Sequence, residues 1–523
     1  MRCFSYQVGG LKMEQKVVQP SSFQKAIEQF KLLDEKITHY SSILGLADWD
    51  QKVMAPKKGR NVFAKATGTL RTEIFQLSVS PEMGHLLETL TLEKHYSQLD
   101  QATRAKVREY KTYYQKSKAI PADLFKEYSI LTAQANDAWE EARENNDFAG
   151  YLPFLEKIID YKRQFAKIYG YNEHPYDALL DEFEPGLTVK RLDSLFAKLR
   201  ESSVQLLERI RKNGQPTKVK VFDQSFEIEK QKAFNRFILP LIGFDMQAGR
   251  LDETVHPFAQ TVNIGDVRLT TRYLEKNVRS ALFGTIHEAG HGIYEQHVHP
   301  TYEETVLQSG ASFGIHESQS RFLENMIGRS REFWHFFFPK LNEYFPEQLK
   351  DVTVEEFYRA VNTVQPSLIR VEADELTYNL HIMLRYEIEK ALIGGEIEAK
   401  DLPAIWNQKM MDYLEISPGT DTEGVLQDVH WSFGGIGYFP SYSLGNLYAA
   451  QILRAIQKDI PDLFSNIEKG KFEIIQEWLK ENIHQYGKLY TPNELIVKVT
   501  GEELNADYLI DYLEKKYTEV YCL

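Results

Sequence analysis

The segment Phe283-Gly-Thr-Ile-His-Glu-Ala-Gly-His-Gly-Ile-Tyr294 carries the pattern from which the rest of the chain is best interpreted. On a helix, His287 and His291 are four residues apart and project from the same face, about one turn from each other. Two ring nitrogens at this separation can bind one metal ion at about 2.0–2.1 Å each. Glu288 is rotated off that face, where its carboxylate can address a water beside the ion. The segment therefore predicts a helix with two metal ligands and an acid–base group.

The His-Glu-x-x-His pattern is the signature of zinc peptidases, but it is short enough to occur by chance in an acidic helix. Catalytic zinc usually has three protein ligands and one open position for water. A third ligand elsewhere in the chain would therefore indicate that the pattern is a metal site rather than a chance match.

Glu317, in the segment Gly314-Ile-His-Glu-Ser-Gln-Ser-Arg321, is the favoured third ligand. A second helix packed against the first could present its carboxylate and complete a two-histidine, one-glutamate set. His316 would then point elsewhere, toward substrate or toward a group that orients a ligand. Glu324 is a weaker candidate, because its position is typical of a packed helix residue held in an ion pair.

His297 is an alternative third ligand, because it follows His291 by six residues, as the third histidine does in metzincins. The metzincin pattern needs a glycine three residues after the second histidine to turn the chain, and Tyr294 occupies that position. Without the turn, the helix carries His297 away from the ion. We therefore expect Glu317 rather than His297.

Composition bounds the class and compartment of the protein. The 523 residues are 43% hydrophobic and 26% charged, which is ordinary for a globular protein. The formal net charge of −13 argues against a nucleic-acid partner, and no polybasic run suggests a membrane surface. No run approaches the ~20 apolar residues that span a bilayer. Cys3 and Cys522 are the only cysteines, which excludes a disulfide framework and predicts a reducing compartment, the cytoplasm.

Residues 1–19 are expected to form a flexible leader, and residues 20–523 a single domain. Near-continuous helical periodicity over 20–215 predicts an N-terminal layer of antiparallel helices. The metal-binding residues fall in the part at about 216–523. The chain has no internal repeat, low-complexity tract or Gly/Ser linker, which favours one interlocked body.

Several helix boundaries have local signals. Ser21-Ser-Phe-Gln24 predicts a capping box, Pro121 the first turn of another helix, and Thr491-Pro-Asn-Glu494 the cap of a late one. Helices are also predicted at 317–327, 354–361 and 368–393, and from 445 to the end. Trp49 could form the lip of a cleft, although a core or interface position is favoured.

Strand signals are sparse and predict a small sheet at most. The best are Val219 with Val221, and the alternating residues 267–270, which lie just before the metal-site helix. Residues 266–273 could form an edge strand that pairs with extended substrate, or a buried structural ladder.

Ordered motifs along the chain resemble the carboxypeptidase Taq family of metallocarboxypeptidases. The motifs that carry the resemblance are Trp49-Asp-Gln51, His256-Pro-Phe258, Asp266-Val-Arg-Leu-Thr270, His287-Glu-Ala-Gly-His291, His316-Glu-Ser-Gln319, Ile369-Arg-Val-Glu-Ala-Asp374, Gly424-Val-Leu-Gln-Asp-Val-His-Trp431 and Gly437-Tyr-Phe-Pro-Ser-Tyr442. Weaker similarity runs from about residue 20 to the C-terminus. The departures are Ile436, where phenylalanine is more usual, and the extra leader.

The resemblance implies a mainly α fold: a large single helical body around a deep groove, like neurolysin and angiotensin-converting enzyme, with a small β-sheet near the site. It implies one zinc ion per chain, bound by His287, His291 and Glu317, with Glu288 as general base. Some family members work with cobalt. The implied activity is removal of C-terminal residues from peptides with broad specificity, and the implied assembly is a homodimer.

A carboxypeptidase must hold a free terminal carboxylate, which a fixed guanidinium does best. Arg370 lies among apolar residues, which suggests a partly buried charge that needs an anionic partner. That partner could be the substrate, or a structural ion-pair partner among Glu372, Asp374 and Glu375. Arg268 is a second candidate, for which a structural pair is favoured.

Four further residues are candidates for substrate contact. His256 and His430 could donate hydrogen bonds, although a lone buried histidine is more often structural, and Asp428 could orient a neighbouring histidine. Tyr438 and Tyr442 lie on a glycine-rich segment, and either phenol could stabilise the oxyanion beside the ion. The sequence does not indicate which of the two tyrosines has this role.

Two other functions fit parts of the same pattern. An oligopeptidase on the same scaffold would cut inside short peptides. A non-catalytic peptide-binding protein would keep the scaffold with a vestigial site, but an intact base beside two intact ligands argues against that alternative.

Overall fold

Helix α1 (Ser22–Val53) begins at the capping box that the sequence predicts. The Ser21 hydroxyl accepts the N–H of Gln24, and the Gln24 side chain accepts the N–H of Ser21. The computed structural model describes residues 21–523, so the predicted leader at 1–19 lies outside the described residues.

Helices account for nearly all of the described chain up to Asn213. They are α1, α2 (Arg60–Ser78), α3 (Pro81–Leu90), α4 (Glu93–Tyr96), α5 (Gln101–Ala119), α6 (Ala122–Asn145), α7 (Phe148–Tyr169), α8 (Pro175–Leu180) and α9 (Val189–Asn213). Pro121 directly precedes α6, where its fixed backbone starts the helix. The helical periodicity of this region therefore predicted its secondary structure correctly.

The remainder of the chain is also mainly helical. Its helices are α10 (Ile228–Leu241), α11 (Val278–Gln296), α12 (Phe313–Arg321), α13 (Arg331–Tyr344), α14 (Pro346–Leu349), α15 (Val354–Val361), α16 (Glu375–Gly394), α17 (Leu402–Leu414), α18 (Pro440–Asp459), α19 (Leu463–Glu468), α20 (Glu473–Asn482), α21 (Pro492–Thr500) and α22 (Asp507–Tyr521). No helix in the described part of the chain combines the length and apolar character needed to cross a membrane.

Some boundaries differ from the predicted ones. The helix predicted at 354–361 and the cap at Thr491 are confirmed. The one predicted at 317–327 begins earlier, at Phe313, and its second half, Phe322–Ile327, is a π-helix. The helix predicted from 368 begins only at Glu375, because the Asp374 carboxylate accepts the N–H groups of the first turn.

One small sheet is present, with the strand order β1 (Gly249–Glu253), β3 (Asp266–Thr271), β2 (Ala259–Asn263). Strand β1 runs parallel to β3, and β2 runs antiparallel to it. Of the two alternatives for 266–273, the edge strand is therefore excluded and the structural ladder is confirmed. Strand β3 is the central strand, and its two sides are already paired.

The strand predicted at Val219 and Val221 is wrong, because this segment is a single 3₁₀ turn, Val219–Phe222. Its Phe222 ring packs edge-on against Phe357 of α15, with ring centres 5.6 Å apart. Two alternating valines gave a strand signal, but the fold supplies a helix rather than a partner strand at this place.

Helix α12 lies between α11 and α18, and two glycines allow the close approach. A Cβ on Gly290 of α11 would lie 2.5 Å from the carbonyl oxygen of Gln319. Gly445 of α18 packs against the side chain of Glu317, so a Cβ there would also clash. The glycines therefore bring the helix that carries Glu317 against the helix that carries the two histidines.

Trp49 at the end of α1 joins the first helix to the sheet. Its side chain is 3% exposed, and the guanidinium carbons of Arg250 and Arg268 lie 5.0 and 4.6 Å from its ring. These contacts are those of an interface aromatic rather than a lip over a cleft.

Candidate metal centre

The structure brings His287, His291 and Glu317 together, as the sequence predicts. The Nε2 atoms of His287 and His291, both on α11, lie 3.7 and 3.4 Å from Oε2 of Glu317 on α12. One ligand atom from each residue falls within 4.8 Å of the other two. Two imidazole nitrogens and a carboxylate oxygen converging in this way match the donor set of a catalytic zinc site. We call these three residues the metal cluster.

The outward ring nitrogens of both histidines have partners of their own. Nδ1 of His287 lies 2.8 Å from Oε2 of Glu324, and Nδ1 of His291 lies 2.6 Å from Nδ1 of His316. Nε2 of His316 lies 2.7 Å from the buried carboxylate of Glu295. These partners place the Nδ1 protons outward and leave the Nε2 lone pairs for an ion. Glu324 therefore lies behind a ligand rather than among the ligands.

Charges around the cluster hold Glu317 ionised. Its Oε1 accepts a hydrogen bond of 2.8 Å from Nε of Arg321, one helical turn away. Burial alone would raise the pKa of Glu317, but the charges of a protonated His287 and of Arg321 hold this pKa well below its usual range, and the charge of Arg321 remains when His287 is neutral and binds an ion. Burial lowers the pKa of His291 to about 4, which favours the neutral, metal-binding imidazole.

Glu288 faces the same cavity as the metal cluster. Glu288 is 7% exposed. No described residue donates a hydrogen bond to its carboxylate. Burial raises the pKa of Glu288 to about 7. A carboxyl group in this range can both accept and deliver a proton near neutral pH.

His297 lies apart from the ligand trio, as expected. It follows the last turn of α11, and its Nδ1 lies 3.2 Å from Nδ1 of His484. Nε2 of His484 in turn contacts Oε1 of Gln319 at 2.9 Å. These two histidines therefore belong to the packing behind the site.

A cavity of about 690 Å³ opens beside the metal cluster. Its wall includes His287, Glu288 and Glu317, and it continues to Arg370 and Tyr442. The proposed acid–base group, two members of the metal cluster and a predicted substrate-binding arginine thus share one cavity.

Arg370 is paired with Asp428, and not with Glu372, Asp374 or Glu375, the ion-pair partners that its sequence neighbourhood suggested. Its Nε and Nη2 donate to Oδ1 of Asp428 at 3.1 and 2.7 Å. The chain folds Asp428 against Arg370 from 58 residues away, which local sequence does not indicate.

Arg385 of α16 donates to the other oxygen of the same carboxylate, Oδ2 of Asp428, at 2.7 Å. Arg370 is 5% exposed and Arg385 is fully buried. Two guanidiniums therefore share one carboxylate, which leaves a net positive charge beside the cavity. We call Arg370, Arg385 and Asp428 the guanidinium cluster.

The two tyrosines differ in their access to the cavity. Tyr442 lines the cavity wall, and its hydroxyl lies 3.2 Å from Nε2 of His430. Tyr438 packs edge-on against Tyr442 and Phe313 and is not part of that wall. Burial lowers the pKa of His430 to about 3, so its imidazole is neutral.

Arg268 and His256 lie outside the cavity wall. Arg268, on β3, forms a two-pronged pair with Asp266, with N–O distances of 2.8 and 2.7 Å. His256 is exposed on the connection between β1 and β2, beside Pro257, which does line the cavity. The contacts of Arg268 are those of a structural ion pair.

Several residues of the site were not singled out from the sequence. Glu295 and Arg321 each lie four residues after a metal-cluster residue on the same helix, so helical spacing could have found them. Arg385 had no comparable signal, because its partner Asp428 is distant in sequence.

Comparisons with known proteins identify metallopeptidases as relatives of this chain. The family model described as Carboxypeptidase Taq (M32) metallopeptidase matches residues 29–517. Carboxypeptidase 1 of Bacillus subtilis is 49% identical over 496 residues, which cover 95% of this chain and 98% of that protein. Thermostable carboxypeptidase 1 of Thermus thermophilus is 40% identical, covering 93% of this chain and 97% of that protein.

A crystal structure of the M32 carboxypeptidase from Deinococcus radiodurans superposes with a TM-score of 0.92 at 36% sequence identity, covering 95% of this chain and all of that one. The match therefore extends over fold and sequence together. The chain belongs to the carboxypeptidase Taq (M32) family of metallopeptidases.

Proposed function

We propose that this metallocarboxypeptidase is a zinc enzyme that removes single residues from free peptide C-termini with broad specificity. One observation carries the proposal: His287 and Glu317 of the metal cluster line the same cavity as Arg370 of the guanidinium cluster. The first cluster can hold the ion that activates a scissile carbonyl, and the second can hold a terminal carboxylate nearby.

The ion, when bound, would polarise the scissile carbonyl and lower the pKa of a water toward ~7. Glu288 would take a proton from the attacking water and deliver it to the leaving amine. Two observations support this role: the Glu288 carboxylate accepts no hydrogen bond from a described residue, and its pKa is raised to about 7. Glu288 directly follows His287 on α11, which would place its carboxylate close to the ion.

Arg370 would bind the terminal carboxylate of the substrate. Its Nη1 donates to the Tyr378 hydroxyl at 3.1 Å, which fixes the plane of the guanidinium, and Asp428 balances only part of the cluster's charge. Tyr442 would stabilise the oxyanion, because it lines the cavity whereas Tyr438 does not. Neutral His430 would orient the Tyr442 hydroxyl.

Zinc is proposed as the native metal, because imidazole and carboxylate ligands of this number suit it, and cobalt should substitute. The measurement is activity of chelator-treated protein after addition of one equivalent of zinc, cobalt or magnesium. Zinc and cobalt should restore activity, and magnesium should not. Restoration by magnesium alone would contradict the proposal.

Matched peptides with free and amidated C-termini test the direction of attack. Mass spectrometry should show stepwise loss of C-terminal residues from the free peptide and no cleavage of the amidated peptide. Internal cleavage of the amidated peptide would instead indicate an oligopeptidase. Binding of both peptides without any release would indicate a non-catalytic protein.

A further inference from the structure

Four arginines line the cavity beside the metal cluster, and three of them have partners. Arg321, Arg329 and Arg370 each donate hydrogen bonds to acidic side chains. The fourth, Arg279, has no carboxylate within 4.0 Å and no hydrogen-bond partner among the described residues. Among the four arginines of this wall, Arg279 therefore lacks a carboxylate partner in the described part of the chain.

Arg279 lies in the first turn of α11, eight residues before His287 on the same helix. At 1.5 Å per residue, the two Cα atoms are separated by about 12 Å along the helix axis. Phe283 and Gly284, which lie between them, also line the cavity. The cavity is therefore continuous from the metal cluster to Arg279.

The guanidinium of Arg279 is held in place but not neutralised. Its Cζ lies 4.8 Å from the centre of the Phe222 ring, a cation–π contact. Burial and the nearby charge of Arg329 lower the pKa of Arg279, and the opposing effects of Asp223 and Glu372 are smaller. The positive end of the α11 dipole adds to the same field. An anion arriving here would relieve this repulsion and gain charge-assisted hydrogen bonds.

We propose that Arg279 binds an acidic side chain of the peptide substrate, upstream of the scissile bond. The inference rests on the proposed function, because Arg370 as terminal anchor leaves one residue on the carboxyl side. An extended peptide covers about 12 Å in three to four residues at 3.3–3.6 Å each. The long arginine and glutamate side chains extend the range, so the acidic residue lies two to four positions upstream.

Peptide pairs that differ by a single Glu-to-Gln change test this subsite. The change is scanned over the four positions before the C-terminal residue, and kcat and KM are measured for each pair. Wild-type protein should prefer glutamate about tenfold in kcat/KM at one position, as expected for a charged hydrogen bond. The effect should fall mainly on KM, because the contact forms equally in the ground state and the transition state.

Arg279→Gln should reduce this preference to less than about twofold, and Arg279→Lys should keep part of it, because a point charge replaces the planar fork. Arg272→Gln is the matched control: it removes the same charge from an exposed residue outside the cavity wall. The control should keep the full preference. Metal content and melting temperature of each variant report whether folding is intact.

The charges of Asp223 and Glu372 both act on Arg279, and the better placed competitor for this guanidinium is Glu372. It lines the same cavity, is exposed, and has no ion-pair partner within 4.0 Å among the described residues. Glu372→Gln should therefore keep or increase the preference for glutamate peptides. Loss of the preference in this variant would overturn the proposal.

Other outcomes would also overturn it. Equal kcat/KM for every Glu and Gln pair in wild-type protein would remove the subsite, and so would an unchanged preference in Arg279→Gln. Loss of the distinction between free and amidated C-termini in Arg279→Gln would make Arg279 the terminal anchor instead. Calorimetric binding of the same pairs to Glu288→Gln tests Arg279 even if no peptide is cleaved. A failure of the proposed function is thereby distinguished from a failure of the subsite.

Discussion

The metal cluster and the guanidinium cluster both contribute to the wall of one cavity, through His287 and Glu317 and through Arg370, but their charges are arranged in opposite ways. In the metal cluster, outer partners satisfy the Nδ1 atoms, so the electron pairs of two nitrogens and a carboxylate point inward. In the guanidinium cluster, two cations share one carboxylate, so positive charge is in excess. One end of the cavity therefore attracts a cation and the other an anion.

Under the proposed function, this difference would let one cavity hold two groups at the terminus of one substrate. A peptide terminus presents a carbonyl oxygen, which an ion polarises, and a carboxylate, which a guanidinium binds. Neither cluster achieves this alone. Changes to each cluster should consequently affect different kinetic steps.

Removal of a ligand from the metal cluster should have the largest effect. Glu317→Ala deletes the carboxylate that joins α12 to the two histidines, and we expect loss of the metal and a fall in activity of about 10³-fold or more. Metal content by plasma mass spectrometry and kcat/KM on a free-terminus peptide measure it. Unchanged metal stoichiometry would transfer the ligand role to another residue.

Glu288→Gln should separate chemistry from metal binding. The side chain keeps its size but loses the ability to accept a proton, so kcat should fall about 10²–10⁴-fold while the metal content stays the same. Normal turnover in this variant would refute the role of Glu288 as general base. Loss of metal would show instead that the residue supports the cluster.

A change in the guanidinium cluster should affect substrate binding rather than metal content. Arg370→Gln removes the guanidinium that reaches the cavity, and kcat/KM on free-terminus peptides should fall about 10²-fold, with KM most affected. Arg385→Met removes the same charge from a fully buried position outside the cavity wall. An equal effect of both changes would assign the anchoring to net charge rather than to direct contact by Arg370.

Changes behind the histidines should have the smallest effect. Glu324→Gln and His316→Gln weaken the hydrogen bonds that orient His287 and His291, so metal affinity should fall about 10–100-fold. With saturating zinc, kcat should remain close to wild type. Competition with a fluorescent chelator measures the affinity, and wild-type affinity in both variants would show that the outer partners do not orient the ligands.

Features with local causes were predictable from the sequence. The capping boxes at Ser21 and Thr491 depend on residues three positions apart, and the spacing of His287 and His291 is set by one helical turn. Glu317 could be chosen over His297 because one missing glycine excludes a chain turn. These inferences need no knowledge of the tertiary fold.

Features that depend on distant partners were not predictable. Two valines near residue 220 looked like a strand, but α15 supplies the neighbour of that segment. The sequence left open whether residues 266–273 form an edge strand or a structural ladder, because the polar sequence of β1 gave no strand signal for a partner. Asp428 is 58 residues from Arg370, so only the folded chain identifies the guanidinium cluster.

Two carboxylates from the chain before residue 216 bind backbone N–H groups in the connection before α12 and in the first turn of α12, the helix that carries Glu317. Asp34 of α1 accepts the N–H of Val306 at 2.9 Å, and Glu184, after α8, accepts the N–H of Gly314 at 3.1 Å. A fragment that starts at residue 216 would leave both N–H groups without these acceptors. We therefore propose that residues 20–523 are one folding unit. Part of the stability of the metal cluster would then come from a region of the chain that supplies none of its ligands.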